Sequence, residues 1–518
     1  MPATVAVVGL GTLGLVAVKN LLEEGFDVTG FDSRADVGGL WQYTPEDKTS
    51  VLPTTVPNIS TERGSFTDFP FPDSIKSYPS AADFAKYLQD YVDHFGFASK
   101  LRLRTVVSRI SRTDDDSSWT IELEDGTVLL FDKVILATGM CQKPHVPTYD
   151  SISNFTGEVL HSSAFKRPEL FKDKRVLVVG LGNTGADTAT GLVGHASEIY
   201  LSYRHGSYIL PRSVNGKPAD HAISLRKSFI QGWMDERFPG ASEFLVTSVI
   251  KKMQRDAFKM RPEWKLSPAP SLKHCPPIVS DTIVGALEAG SVLPVPGIRA
   301  FKEGNVVELH DGTNITVDAV VWCTGYQFDF SVLDSRFDPS RDTTRAWTEA
   351  PGSKGKPLPR LYKNLFSLDY PDSLAVLGPA FFLQSAMTPY DIATMAIAQI
   401  WKGNYNLPPV KEMTAEVDER HAWLASRAKD GTTMPGLIRE QQWMAWANEA
   451  AGTGVGSNLG WGSAAWAFWY KNRALYGMLM DGISTPFVYR LFDGRRKKWE
   501  GAREQILKAN ARVARLGK

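Results

Sequence analysis

The residues best suited to chemistry sit in two glycine-rich phrases and the stretch between them. Gly9-Leu10-Gly11-Thr12-Leu13-Gly14 and Gly180-Leu181-Gly182-Asn183-Thr184-Gly185 share one spacing. Each follows a short apolar run, Thr4 to Val8 or Arg175 to Val179, and opens a helical pattern. In that setting the first glycine permits a tight turn and the second lets backbone approach a pyrophosphate. The third lets the helix pack close to the strand, with the helix N-terminus facing the phosphates. Two such sites in one chain suit two dinucleotides, the arrangement needed to pass a hydride from a nicotinamide to a flavin.

The two phrases are not equivalent. After the first, the run Phe26 to Phe31 ends in Asp32, an acid placed to accept hydrogen bonds from a ribose diol. After the second, the strand tip reads Ser202-Tyr203-Arg204-His205, and an arginine there prefers a 2′-phosphate. The first site therefore reads as FAD and the second as NADPH. His205 reads as a solvated surface residue. Gly38-Gly39-Leu40-Trp41 suits close backbone approach to a flat ligand. No cysteine precedes Cys141, so the redox dithiol of a disulfide reductase is missing.

The elements that must hold these residues belong to an ordinary globular chain. It has 518 residues, 43% hydrophobic and 22% charged, with a net charge of +1. At about 150 residues per domain, two to four domains are expected. The balanced charge argues against a nucleic-acid binder. Cys141, Cys275 and Cys323 are too far apart for a metal or disulfide framework, which favours a reducing, cytoplasmic setting. No secretory leader is visible, and no apolar run approaches the roughly 20 residues of a membrane span. The stretch Leu459 to Tyr470 is read as a buried aromatic helix.

Further phrases carry a resemblance. Phe155, Gly157, His161 and Phe165 match the pattern F-x-G-x-x-x-H-x-x-x-(Y/F), and Trp322-Cys323-Thr324-Gly325-Tyr326 matches an (A/C)-T-G-Y segment. Asn58-Ile59-Ser60 followed by Phe66 to Pro72, then Thr485 to Leu491 and Trp499 to Arg503, match further blocks. By these the chain resembles the flavin-containing monooxygenases, class B flavin-dependent enzymes, of a soluble microbial or fungal type. The resemblance implies an α/β fold with two Rossmann-like dinucleotide-binding domains, the NADPH domain inserted in a discontinuous FAD domain. The expected divisions are 1–165 for the first part of the FAD domain and 166–320 for the NADPH domain. Residues 321–518 form the second part and a C-terminal extension. Phe131 to Gly139 and Val317 to Gly325, each closing on Thr-Gly, form a pseudo-repeat read as the strands leaving and re-entering the FAD domain. Residues 214–296 match least well and are read as a helical insertion shaping substrate access or an oligomer contact. Thr432 to Gly462 is also individual to this chain.

Cofactor contacts are carried over residue by residue. FAD contacts are expected from Gly9, Gly11, Thr12, Leu13, Gly14, Asp32, Gly39, Leu40, Trp41, Val107, Thr138 and Gly139. NADPH contacts are expected from Gly180, Gly182, Asn183, Thr184, Gly185, Asp187, Ser202 and Arg204, with Thr324 and Gly325 closing the set. No metal is expected. The implied chemistry is reduction of the flavin by NADPH, reaction with dioxygen to a C4a-hydroperoxide, and shielding of that species by retained NADP⁺. An amine nitrogen or thioether sulfur of a small molecule then takes up oxygen, as in a dimethylaniline monooxygenase. Asn58 is the expected catalytic side chain, a neutral amide able to hydrogen-bond the peroxide or nicotinamide without acting as a base. His161 is read as orienting the linker, Phe155 and Phe165 as packing, Gly157 as permitting a tight turn, and Cys323 as a small buried residue. Two alternatives stand beside this: a Baeyer–Villiger enzyme acting on a ketone, whose linker closes on tryptophan followed by proline or aspartate where this chain has Phe165-Lys166, and a non-catalytic NADPH-binding protein. A homodimer is the usual expectation.

Overall fold

In the computed structural model, which describes residues 1–46, 48–382 and 385–516, the two apolar runs become central, parallel-paired strands of two separate sheets, the first of which ends in an antiparallel edge. Thr4–Val8 pairs with Asp27–Phe31 on one side and Lys133–Leu136 on the other. Arg175–Val179 pairs in the same way with Glu198–Ser202 and Ala319–Trp322. Strands covered on both faces can be apolar along their whole length, which is why these runs do not alternate. Val5, Ala6 and Val7 are fully buried, as are Val176, Leu177 and Val178.

Leu101–Arg102 extends the first sheet at one edge, and Leu374–Val376, Phe366–Ser367 and Leu361–Tyr362 extend it at the other. The first sheet thus draws on strands before and after the second. Leu293–Val295 and Glu158–His161 border the second sheet. This corrects the expected boundary at residue 165, because Glu158–His161 pairs with Ala319–Trp322 inside the second unit. It also corrects the reading of 317–325 as a strand of the first unit. Arg175–Val179 needs a neighbour on each side and takes Ala319–Trp322 as one of them. The chain crosses between the units at Lys143–Pro144 and returns at Tyr326–Gln327, and these two segments pair antiparallel.

The expected insertion at 214–296 is narrower than its span. Helices Leu225–Arg237 and Pro239–Ala257 pack on each other as a hairpin. The helix Ile283–Glu288, by contrast, buries Ile283, Val284 and Leu287 in the core of the second unit. Leu459 to Tyr470 departs from the buried helix expected of it. Its helix, Ser463–Lys471, turns Ala465 and Phe468 inward, Phe468 lying 5.2 Å from Phe492. Trp466 and Tyr470, four residues apart on the opposite face, stay exposed, and Trp461 is 94% exposed. A helix of this length has one face to bury, so half of its aromatic content is left in solvent.

The C-terminal part closes on the first unit. Helix Met387–Trp401 is buried along its entire length, packed between helices Thr12–Glu23 and Glu440–Ala451. Charged groups lock this junction. Buried Arg490 pairs with Glu23 at 2.7 Å and Asp68 at 3.2 Å, and donates to Asn20 Oδ1 at 2.7 Å. Buried Lys19 pairs with Asp68 and, at 3.0 Å, with Glu23. Asp391 accepts from Asn20 at 2.8 Å and from the Thr67 N–H at 2.8 Å. Buried charges are held only by such mutual satisfaction. This accounts for an arginine in the Thr485 to Leu491 block and an aspartate in the Phe66 to Pro72 block.

Candidate functional site

The two glycine phrases fold into near-copies of one cradle. A Cβ on Gly9 would lie 2.5 Å from the Ala137 carbonyl oxygen, and one on Gly180 would lie 2.6 Å from that of Cys323. Both residues have strongly positive φ, +100° and +110°, which favours glycine. A Cβ on Gly14 or Gly185 would sit 1.8 Å from the carbonyl oxygen of Gly9 or Gly180. The middle glycines differ from these. Around Gly11 the nearest protein atom is 3.7 Å from such a Cβ, and around Gly182 none lies within 4 Å. Outer glycines are therefore required by the protein's own packing, whereas the middle ones face open space where a pyrophosphate fits. Thr12 and Asn183 begin the two helices, so Leu13 and Thr184 lie in their first turns, while Asp187 follows one turn on from Asn183.

Around the first cradle, Asp32 accepts from the Leu10 N–H at 2.7 Å and the Arg34 N–H at 2.9 Å. Its carboxylate braces the glycine turn and retains acceptor capacity for a ribose. Gly38 and Gly39, at φ +105° and +53°, run against Gly11 through an isolated parallel bridge. Leu40 is 38% exposed, while Trp41 turns away to pack on Phe84 with centroids 4.2 Å apart. Val107 opens a three-stranded antiparallel sheet, two residues beyond Thr105, whose N–H donates to the Asp32 carbonyl. Thr138 and Gly139 follow the strand beside Thr4–Val8, with Gly139 at φ +87°; Thr324 and Gly325 repeat that placement in the second unit, with Gly325 at +82°.

Around the second cradle, Asn183 Oδ1 accepts from the Val279 N–H at 2.9 Å. Ser202 is buried, its hydroxyl donating to the Pro296 carbonyl at 2.8 Å and its own carbonyl accepting from the Gly180 N–H at 2.9 Å. The structure thus places Ser202 beneath the turn, with its hydroxyl already engaged. Arg204 is exposed and makes no hydrogen bond or ion pair to a described residue. Its stem passes Gly297, where a Cβ would come within 2.8 Å of Arg204 Cγ. Asp187 is pushed up to about 6 by burial, an effect that the nearby Arg212 charge opposes.

The segment from Lys48 to Arg63, which carries Asn58, is tied to both units; on the first side Arg34 donates to the Thr49 carbonyl at 2.6 Å and the Val51 N–H to the Leu40 carbonyl at 2.9 Å. Lys166 reaches from the second unit to the Lys48 carbonyl at 2.6 Å and Ser50 Oγ at 2.8 Å. Asp220 accepts from the Ser60 N–H at 2.9 Å, and His221 meets Glu62 at 3.2 Å. Arg212 donates to the Val56 carbonyl at 3.0 Å and to Asn58 Oδ1 at 2.9 Å. His161 Nδ1 accepts from the Ser163 N–H at 3.1 Å, so Nε2 carries the proton that it gives to the Gly325 carbonyl at 3.0 Å. Burial lowers its pKa, so the ring is a neutral tie between the linker phrase and the Thr324-Gly325 turn. Phe155 and Phe165 are buried packing residues. Gly157 has no positive φ. It is glycine because a Cβ would strike the Phe155 ring at 2.5 Å and the Asp318 carbonyl at 2.7 Å. Cys323 is buried and raised to about 12, which makes it unreactive.

Two positions escaped the sequence reading. Arg212 touches Asn58 across 154 residues, and nothing in the local phrase Leu210-Pro211-Arg212 signals this. Burial lowers the pKa of Lys354, and the charge of Arg204 lies close enough to lower it further. Lys354 adds a second cation beside the strand tip, from a segment with no nucleotide-binding pattern.

The flavin-binding monooxygenase-like family matches residues 3–516. The chain belongs to this family. The monooxygenase aurF of Gibberella zeae is 42% identical over 520 residues, covering 99% of each chain. Flavin-containing monooxygenase 1 of Oryctolagus cuniculus is 31% identical over 81% of this chain and 78% of its own. Among solved structures, the S-allyl-L-cysteine S-oxygenase of Allium sativum shares the fold at a TM-score of 0.64 and 18% identity, covering 99% of both chains. A cyclohexanone monooxygenase does so at 0.60 and 18% identity, over 87% of this chain and 98% of its own. The protein is a flavin monooxygenase with FAD and NADPH as cofactors, and the two glycine cradles fit these groups. Among the described residues no cluster could hold a metal, and no helix is long and apolar enough to cross a membrane.

Proposed function

We propose that this monooxygenase transfers oxygen to a soft nucleophile, an amine nitrogen or a thioether sulfur, on a small molecule. What carries the reading is the end of the linker phrase. Phe165 is buried against Phe171 at 5.4 Å, and Lys166, itself buried, fixes the Lys48–Ser50 loop beside Asn58's segment. A Trp-Pro or Trp-Asp close, the pattern of the ketone-oxidising relatives, has no counterpart here.

Bound FAD supplies the redox and oxygen chemistry, taking hydride from NADPH and activating dioxygen. The chain's own residues bind, orient and exclude water. In this reading Gly11 and Gly182 admit the pyrophosphates and Asp32 holds a flavin-side ribose. Arg204 holds the 2′-phosphate, and Asn58 offers an amide at the junction of the two sites. A cavity of about 710 Å³ opens between Arg63, Phe229, Thr388, Met444 and Tyr489. Its walls include both segments that match the family least, the helical hairpin and the tract 432–462, so we assign substrate selection to it. The volume suits a ligand of drug-like size.

The test is product analysis in air with NADPH and a panel of primary amines, tertiary amines, thioethers and ketones. N- or S-oxygenated products support the proposal. Ester formation from a ketone, with amines and thioethers untouched, replaces it with the Baeyer–Villiger reading. A protein that takes up no flavin removes both.

A further inference from the structure

We infer that Arg212 is a positioning residue that fixes which end of the Asn58 amide is presented to the reaction. The inference rests on the catalytic role proposed for Asn58 and goes beyond it by naming what orients that side chain.

The contacts are specific. The Arg212 guanidinium donates to the carbonyls of Val56 at 3.0 Å and Pro57 at 3.2 Å and to Asn58 Oδ1 at 2.9 Å. Its remaining edge pairs with Asp281 at 3.0 Å, and its own N–H donates to Asp281 at 2.9 Å. Behind it, the Arg212 carbonyl accepts from Tyr78 Oη at 2.5 Å and from the Ala219 N–H at 2.8 Å. The side chain is only 11% exposed. One planar fork therefore grips three consecutive residues of the first unit from a loop of the second.

The chemistry of the fork decides the amide's orientation. A guanidinium carries only donors, so only the oxygen of Asn58 can face it. Nδ2 must then point away, and it makes no hydrogen bond to a described residue. Asn58 is half-buried, so this N–H₂ is left as an uncommitted donor on the side of the amide away from Arg212. Without Arg212 the amide can flip and offer an acceptor instead. Lysine cannot substitute, because one ammonium cannot span three acceptors and a carboxylate in a plane.

The experiment uses full-length holoenzyme: wild type, Arg212→Gln, Arg212→Lys, Asn58→Ala and the Arg212→Gln/Asn58→Ala double variant, each checked first for flavin content and melting temperature. Three quantities are read: hydrogen peroxide formed per NADPH oxidised, the Kd for NADP⁺, and amide hydrogen exchange across residues 52–64. Arg212→Gln should raise the peroxide fraction to within about twofold of Asn58→Ala, with the double variant no worse than either single, because both act through one group. Arg212→Lys should restore less than half of the coupling. The Kd for NADP⁺ should move by less than about threefold, and exchange at 56–60 should quicken by about tenfold or more. Additive effects, normal coupling in Arg212→Gln, or unchanged exchange overturn the inference. So does a Kd for NADP⁺ weakened about tenfold with coupling intact, which would make Arg212 a cofactor contact. If wild-type protein oxygenates nothing, the proposed function fails, while the exchange measurement still decides whether Arg212 holds the segment.

Discussion

Replacing Arg204 by alanine isolates the choice between NADPH and NADH. The arginine is exposed and bonds no described residue, so its removal frees no buried partner and should leave the melting temperature unchanged. Under the proposed role it loses charge-assisted hydrogen bonding to a 2′-phosphate, worth about 1.5–3 kcal/mol. Lys354 remains beside the vacated place and keeps part of the attraction. The expected loss is therefore about 1.5–2 kcal/mol, read as a rise of about 10–30-fold in the KM for NADPH. The KM for NADH, which lacks that phosphate, should change by less than about twofold. Adding Lys354→Ala should widen the gap further. The assay is steady-state oxidation at 340 nm with both nucleotides on the same preparation. Equal effects on the two nucleotides would refute the phosphate role of Arg204.

Gly182→Ala should keep the wild-type melting temperature, because its Cβ meets nothing within 4 Å, yet weaken NADP⁺ binding about tenfold; unchanged binding by calorimetry would show that no pyrophosphate passes there. Gly14→Ala, whose Cβ would lie 1.8 Å from Gly9 O, should yield protein that purifies without flavin absorbance at 450 nm, and a fully yellow variant would contradict the packing argument. Asp187 carries a pH signature. Folded, its carboxyl keeps its proton to about pH 6, against 3.8 when unfolded, so stability from this group falls as pH rises through that window. Asp187→Asn should therefore raise the melting temperature at pH 8 and bring no gain at pH 4, and a gain independent of pH in thermal scans would exclude this cause. Arg490→Met leaves Glu23 and Asp68 with Lys19 alone and should cost about 3–5 kcal/mol in urea denaturation, and a cost below about 1 kcal/mol would mean the network is not required.

The cradles were legible in the sequence because a glycine turn between a strand and a helix is a local device. Every residue it needs lies within about thirty positions. The placement of Asp32 and Arg204 could be read for the same reason, since Asp32 directly follows strand Asp27–Phe31 and Arg204 lies two residues beyond strand Glu198–Ser202. Sheet membership was less legible. The run at 317–325 has the same pattern whichever sheet receives it, and only its pairing with Arg175–Val179 assigns it to the second unit. Arg212 was invisible because its meaning lies in Asn58, 154 residues away. The aromatic stretch at 459–470 misled for a different reason. Composition suggested burial, but a nine-residue helix has one inner face, and Trp466 and Tyr470 lie on the other.

The Arg490 junction also bears on the order in which the chain can fold during synthesis. The second unit's sheet is complete once Trp322 has emerged. The first began with residue 4 but waits for strand Leu374–Val376, helix Met387–Trp401 and then Arg490 to neutralise the acids at 23 and 68. The unit started first is thus finished last, with Lys19 and its two carboxylates unbalanced through most of translation. A nascent chain held short of residue 490 should already protect the second unit from protease while leaving the first unit susceptible.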